Sequence, residues 1–96
     1  MQNRYLVCYD ISDAKRLRRV FVKMKGFGDP VQYSVFQCDL TAMQRVMLES
    51  ALMDIINLKE DRVLIVDLGP SSGRGSERFT TLGKAIASLG ASGSDV

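Results

Sequence analysis

"RYLVCYD", residues 4–10, is an apolar, β-prone run that stops abruptly on a carboxylate. Aromatic and β-branched side chains suit a pleated backbone, so the run predicts a first strand with Asp10 at its tip. Ser12 can cap a helix directly afterwards, because its hydroxyl can accept a backbone N–H of the first turn. Asp13 adds negative charge where the helix dipole is positive. Leu17, Val20, Phe21 and Met24 recur at i, i+3, i+4 and i+7, which is one apolar helical stripe. The same spacing turns most of Lys15, Arg16, Arg18, Arg19, Lys23 and Lys25 away from the core. Gly26 and Gly28 are expected to end this helix through left-handed backbone geometry.

The next segment, "PVQYSVFQCDL" (30–40), is extended. Val31, Tyr33 and Val35 alternate on one face, and Phe36, Cys38 and Leu40 then alternate on the other. A phase change near Ser34 predicts a bulge or a break into two short strands. Thr41 with Gln44 has capping-box spacing. Met47, Leu48, Ala51, Leu52, Ile55 and Leu58 supply the buried stripe of a second helix. "DRVLIVDLG" (61–69) is nearly continuous in apolar residues and predicts a strand buried on both faces. The resulting order is β-α-β(β)-α-β, which suits an α+β sandwich of ferredoxin-like type with both helices on one face.

"GPSSGRGS" (69–76) reads as a flexible linker, since the glycine and lysine spacing of a phosphate loop is not met. "ERFTTL" (77–82) predicts one further short strand, and a strand on such a tether can cross to another subunit's sheet edge. Residues 1–82 are therefore expected to form one domain, with 83–96 a fraying tail.

Composition narrows the chemistry. A chain of 96 residues buries only a modest fraction of its surface, yet 46% of its residues are hydrophobic, so a second copy is expected to cover part of them. No apolar run approaches a membrane span and the N-terminus has no signal pattern, which predicts a cytoplasmic protein free of membrane. Cys8 and Cys38 lie in strand-like runs and are expected as reduced, buried thiols. There is no histidine, which removes imidazole bases, histidine-containing zinc sites and Ser-His-Asp triads.

Net charge is only +2, but "KRLRRVFVKMK" (15–25) carries six of the thirteen basic residues and no acid. A one-sided basic helix is the footprint of a phosphate-bearing partner, or simply a solvated helix face. Asp10 poses a similar choice. One strand-end acid can begin a turn beside Ser12 and Asp13, or it can meet its symmetry mate at a twofold axis. Two such carboxylates repel, and a bound Mg²⁺ relieves the repulsion while keeping most of its waters.

"YLVCYDISD" followed by the basic helix, "KGFG" and "VQYSVFQCDL" resembles the small CRISPR-associated endonuclease family (Cas protein number two), the partner of the spacer integrase. The likeness runs from about residue 4 to 69. It implies a ferredoxin-like homodimer in which each sheet is completed by a C-terminal strand of the partner. It also implies Mg²⁺ or Mn²⁺ shared by the strand-end acids, which carries the catalytic and metal-binding role onto Asp10. Tyr9, Arg19 and Phe36 fall on positions used around that cleft, although Phe36 equally fits the strand core. Arg16, Arg18, Arg19 and Lys23 are the expected nucleic-acid contacts. Pro30 stands where some relatives have a basic residue, which calls one phosphate contact into question, and Leu17 stands where some have an Arg, although Arg16 and Arg18 flank it. The family's members are implied to cut single-stranded RNA or duplex DNA, or to bridge integrase dimers along incoming DNA without catalysis. An RNA-recognition sheet built on Tyr5, Tyr9 and Tyr33 is the reading from a different class, and it requires those tyrosines on an open face.

Overall fold

The computed structural model describes residues 1–72 together with 80, 82 and 83. The opening run forms strand β1, Asn3–Asp10, and its residues alternate between two environments: Tyr5, Val7 and Tyr9 are buried, whereas Leu6 and Cys8 are only half-buried. Helix α1, Ala14–Met24, follows after a three-residue turn. Its cap is Asp13, whose side chain accepts from the Arg16 amide at 2.9 Å. Ser12, the residue expected in that role, sits one position too early and bonds instead to Asp61. Val20 and Met24 are fully buried, with Leu17 and Phe21 packed against them.

The second extended segment breaks into a hairpin, β2 (Asp29–Gln32) and β3 (Val35–Leu40), with Tyr33 and Ser34 in the turn. Phe36, Cys38 and Leu40 point into the core as their alternation requires. Helix α2, Ala42–Met53, carries the full capping box: Thr41 Oγ1 accepts from the Gln44 amide at 3.1 Å, and Gln44 Oε1 accepts from the Thr41 amide at 2.8 Å. Leu48, Leu52 and Ile55 are buried, but Met47 and Leu58 are exposed. Apolar residues occupy more of α2 than one stripe, and its outward side also bears Met43, Val46 and Met53. Leu58 lies beyond the helix end. Strand β4, Arg62–Pro70, closes the described elements.

The sheet order is β2-β3-β1-β4, with every neighbouring pair antiparallel. This is the ferredoxin-like arrangement expected from the order of elements. Register fixes what each face displays. Val7 pairs with Phe36 on one side and Ile65 on the other, all facing the helices; Cys8 pairs with Val35 and Leu64, facing away. β4 is therefore covered on one face only, contrary to its sequence, and Leu64 and Val66 are 56% and 37% exposed. Both described helices lie on one side of the four-stranded sheet, so among the described residues no helix buries the second face of this edge strand. The two edges also differ. β2 has four residues, one of them Pro30, and a register shift; β4 runs for nine residues.

Gly28 has a different job from the one expected. Its φ is not positive; a Cβ there would strike the Gln37 carbonyl oxygen and lie 2.6 Å from Cys38 Sγ. Glycine lets the chain leaving α1 press directly onto β3. Both cysteines are free thiols, Cys38 buried and Cys8 half-buried on the uncovered face. Burial is the main cause that pushes the Cys38 thiol up to about 12, so it remains protonated and inert near neutral pH. No helix among the described residues is long and apolar enough to cross a membrane. The expected linker beyond residue 72, the strand over 77–82 and the tail over 83–96 lie essentially outside the described residues.

Candidate functional site

Asp10 is the last residue of β1, exposed, and its backbone is paired with Arg62 of β4. Strand alternation puts it on the same side as Leu6 and Cys8, the side that neither described helix covers. Among the described residues its carboxylate accepts no hydrogen bond and joins no ion pair. It is an acid presented by rigid backbone with its oxygens unengaged.

Directly behind it the chain is tightly held. Ile11 tucks into the core. Ser12 donates to Asp61 Oδ1 twice, from its amide at 3.0 Å and from its hydroxyl at 3.2 Å. Arg16 grips the same carboxylate with Nε at 2.8 Å from Oδ2 and Nη2 at 3.2 Å from Oδ1, and it reaches Glu60 at 3.1 Å. The Asn57 amide adds a fifth bond to Asp61, at 2.8 Å to Oδ2. The Asp61 side chain has no exposed surface. The Arg16 guanidinium, seconded by the two backbone amides, holds its carboxyl far below the usual carboxylate range and outweighs the upward push of burial.

The basic helix divides its charges. Arg16 is engaged by Asp61 and Glu60, and Lys25 lies 5.6 Å over the Phe21 ring. Lys15, Arg18, Arg19 and Lys23 are exposed, and with Val22 and Gly26 they line one wall of a groove of about 1010 Å³ whose other wall is Ala51, Asp54 and Ile55 of the α2 end. Four cations face one acid across it. The structure thus keeps Arg18, Arg19 and Lys23 open to a phosphate-bearing ligand and ties Arg16 to the chain itself.

Tyr9 and Phe36 are core residues. Their rings stack at 6.3 Å between centroids, Phe21 meets Phe36 edge-on at 5.5 Å, and neither Tyr9 nor Phe36 is open to solvent. They brace the strand end from behind. Burial raises the Tyr9 phenol above its ordinary range, and its buried hydroxyl has no partner among the described residues. Tyr5 and Tyr9 both lie under the helices, and Tyr33 sits in the hairpin turn. That placement rules out an RNA-recognition sheet built on the three tyrosines.

The donors suit one class of metal. Asp10 offers hard oxygens, and Mg²⁺ or Mn²⁺ is commonly held by one or two carboxylates with water completing the shell. Among the described residues of one chain, no three His, Cys, Asp or Glu side chains cluster to hold an ion. Of the acids at the strand tip, Asp10 is the one whose carboxylate is left unengaged among the described residues.

Asp61 is the residue that reading the sequence overlooked. It precedes β4 as an ordinary loop acid, and only the fold brings it to Arg16, which is 45 positions away.

Comparison with known proteins adds to this geometry. A family model described as "CRISPR associated protein Cas2" matches residues 3–74. A protein of Rhodospirillum rubrum named CRISPR-associated endoribonuclease Cas2 1 is 44% identical over 88 residues, covering 92% of this chain and 85% of the relative. The Geobacter sulfurreducens protein of the same name, without the final numeral, is 48% identical over 71 residues, covering 74% and 75%. Among solved structures, Streptococcus pyogenes Cas2 at pH 6.5 superposes with a TM-score of 0.71 at 32% identity, over 83% of this chain and 99% of that one.

Proposed function

The chain belongs to the CRISPR-associated Cas2 family, and from that premise we propose that it serves the adaptation stage of CRISPR defence in the cytoplasm, as a homodimer that binds nucleic acid and hydrolyses phosphodiester bonds. The observation that carries this reading is the unengaged Asp10 carboxylate at the margin of an uncovered apolar sheet face. Leu6, Cys8, Val35, Leu64 and Val66 display an apolar surface that a second copy would cover. A sheet-to-sheet pairing about a twofold axis repeats whatever one copy places at the margin. Asp10 from each subunit would then hold Mg²⁺ or Mn²⁺, with water filling the remaining positions. When bound, such an ion polarises a phosphodiester and lowers the pKa of a coordinated water. The chain's own residues do the rest: Arg18, Arg19 and Lys23 hold phosphates along α1, and the Asp61 network keeps the strand tip in place.

The relatives' names favour RNA as the substrate that is cut. A C-terminal strand over 77–82, exchanged between copies along the long β4 edge, would extend each sheet.

The test is cleavage of single-stranded RNA and duplex DNA by the purified protein in Mg²⁺ or Mn²⁺. Asp10→Asn should abolish cleavage while leaving binding intact; a mutant as active as the parent would assign the hydrolysis to something else. Arg18→Glu with Arg19→Glu should weaken duplex binding. Each cation lost from a true phosphate contact should lower the salt slope by about one unit. Unchanged affinity would move the binding surface off α1.

A second reading is favoured by the lack of a three-ligand metal cluster among the described residues of one chain, set beside four open cations. In it the dimer is a non-catalytic bridge between integrase dimers and holds duplex DNA. Full binding with no cleavage in either metal would select it.

A further inference from the structure

We infer that Asp61 is a positioning residue for Asp10, an inference that rests on the reading of Asp10 as a metal ligand. The Asp10 side chain makes no hydrogen bond or ion pair among the described residues, so its placement rests on its backbone. What fixes its backbone comes from two consecutive residues of another segment. Arg62 is its partner in the β1–β4 ladder, and Asp61, one residue earlier, holds the Ser12 amide and hydroxyl two residues beyond Asp10. The acid is therefore gripped before and after, and only its own side-chain torsions remain free.

The bonding of Asp61 also says what it does not do. A carboxylate has about four lone-pair sites, and this one accepts five hydrogen bonds: two from Ser12, two from Arg16 and one from Asn57. Its oxygens are saturated and its charge is matched by Arg16. It has nothing left with which to ligate a cation and so does not compete with Asp10 for one. Arg16 extends the grip to the first turn of α1, linking the strand tip to the helix that carries the open cations. The nearest metal-site analogy is the outer shell of hydrogen-bonding partners that orients a ligand, whose loss typically costs 10- to 100-fold in metal affinity or activity.

The experiment is Mn²⁺ binding, followed by electron paramagnetic resonance, to the full-length wild type and to Asp10→Asn, Asp61→Asn and Asp61→Ala. Asp61→Asn keeps an acceptor for the Ser12 amide but loses the charge that Arg16 reads, so it should weaken Mn²⁺ roughly 10-fold. Asp61→Ala should weaken it further. RNA affinity without metal should stay within about twofold of wild type, and kcat should fall while KM holds. A folded Asp61→Asn that binds Mn²⁺ within twofold of wild type overturns the inference. Absence of Mn²⁺ binding in wild type, or equal binding by Asp10→Asn, overturns the Asp10 reading first and this inference with it. If both Asp61 variants fail to fold, hydrogen exchange of the wild-type protein decides. A Ser12 amide protected to the level of the β1 ladder supports the grip, and one that exchanges as a free turn overturns it.

Discussion

Strand β1 separates two surfaces that share one backbone and differ in almost every other respect. Its odd-numbered residues, Tyr5, Val7 and Tyr9, are sealed under two helices together with Phe36 and Ile65. Its even-numbered residues, Leu6 and Cys8, are half-buried beside the exposed Leu64 and Val66 on a face that neither described helix covers, and they lead to Asp10. The covered face answers the problem of folding one small chain. The bare face is as apolar but buys that chain no burial, and its value lies in what it can meet. The contrast teaches that the acid belongs to the face that the described helices leave uncovered, not to the face that holds the core.

The strongest way to break the contrast is Leu64→Arg. A charge in the middle of the bare face should yield a folded monomer by sedimentation velocity and cut metal-dependent cleavage by at least about 100-fold. Subunit stability itself should move by no more than about 0.5 kcal/mol, as for other exposed positions. A variant that unfolds would show that the bare face is needed for folding after all. Phe36→Ala probes the opposite side. The ring is fully buried against Tyr9 and Phe21, so its loss should cost about 3–5 kcal/mol in urea unfolding without favouring monomer over dimer.

The smallest effect is in pH. Arg4 holds Asp39 at 2.8 Å on the uncovered face and lowers its carboxyl below the usual carboxylate range, aided by Ser71; Arg16 does the same more strongly for Asp61. A depressed carboxylate takes up its proton in the unfolded chain first. Both pairs therefore stabilise fully above the ordinary carboxylate range and lose that stabilisation progressively as pH falls below about 4. The urea midpoint should be flat from pH 7 to 5 and decline below 4, and Asp39→Asn should soften the decline. An acid profile unchanged by that substitution would remove Arg4–Asp39 from the account.

What was legible in the sequence was local or periodic. The stripe on α1, the inward set Phe36, Cys38 and Leu40, and the Thr41–Gln44 box each depend on residues a few positions apart, and each stands where spacing placed it. The element order was enough for the fold class. What escaped depends on who is nearby in space. β4 reads as buried on both faces because its side chains are apolar on both, but the two described helices cover only one. Asp13 takes the cap from Ser12 because Asp61 claims Ser12 first. Arg16 looks like its basic neighbours until the fold delivers Asp61 and Glu60 to it. Asp10 was legible as an exposed strand-end acid. The grip around it was not, since Ser12 and Asp61 lie 49 positions apart.

The unequal sheet margins described above bear on how such a molecule stays out of trouble. Pro30 lacks an amide hydrogen, and with the irregular pairing beside it β2 is a poor template for any incoming strand. The nine residues of β4 make the opposite margin a good one. Strand pairing is therefore disfavoured at the β2 margin and directed to β4. One blunted margin halves the edges at which stray strands can add, a safeguard that suits a protein with Leu64 and Val66 exposed on its sheet.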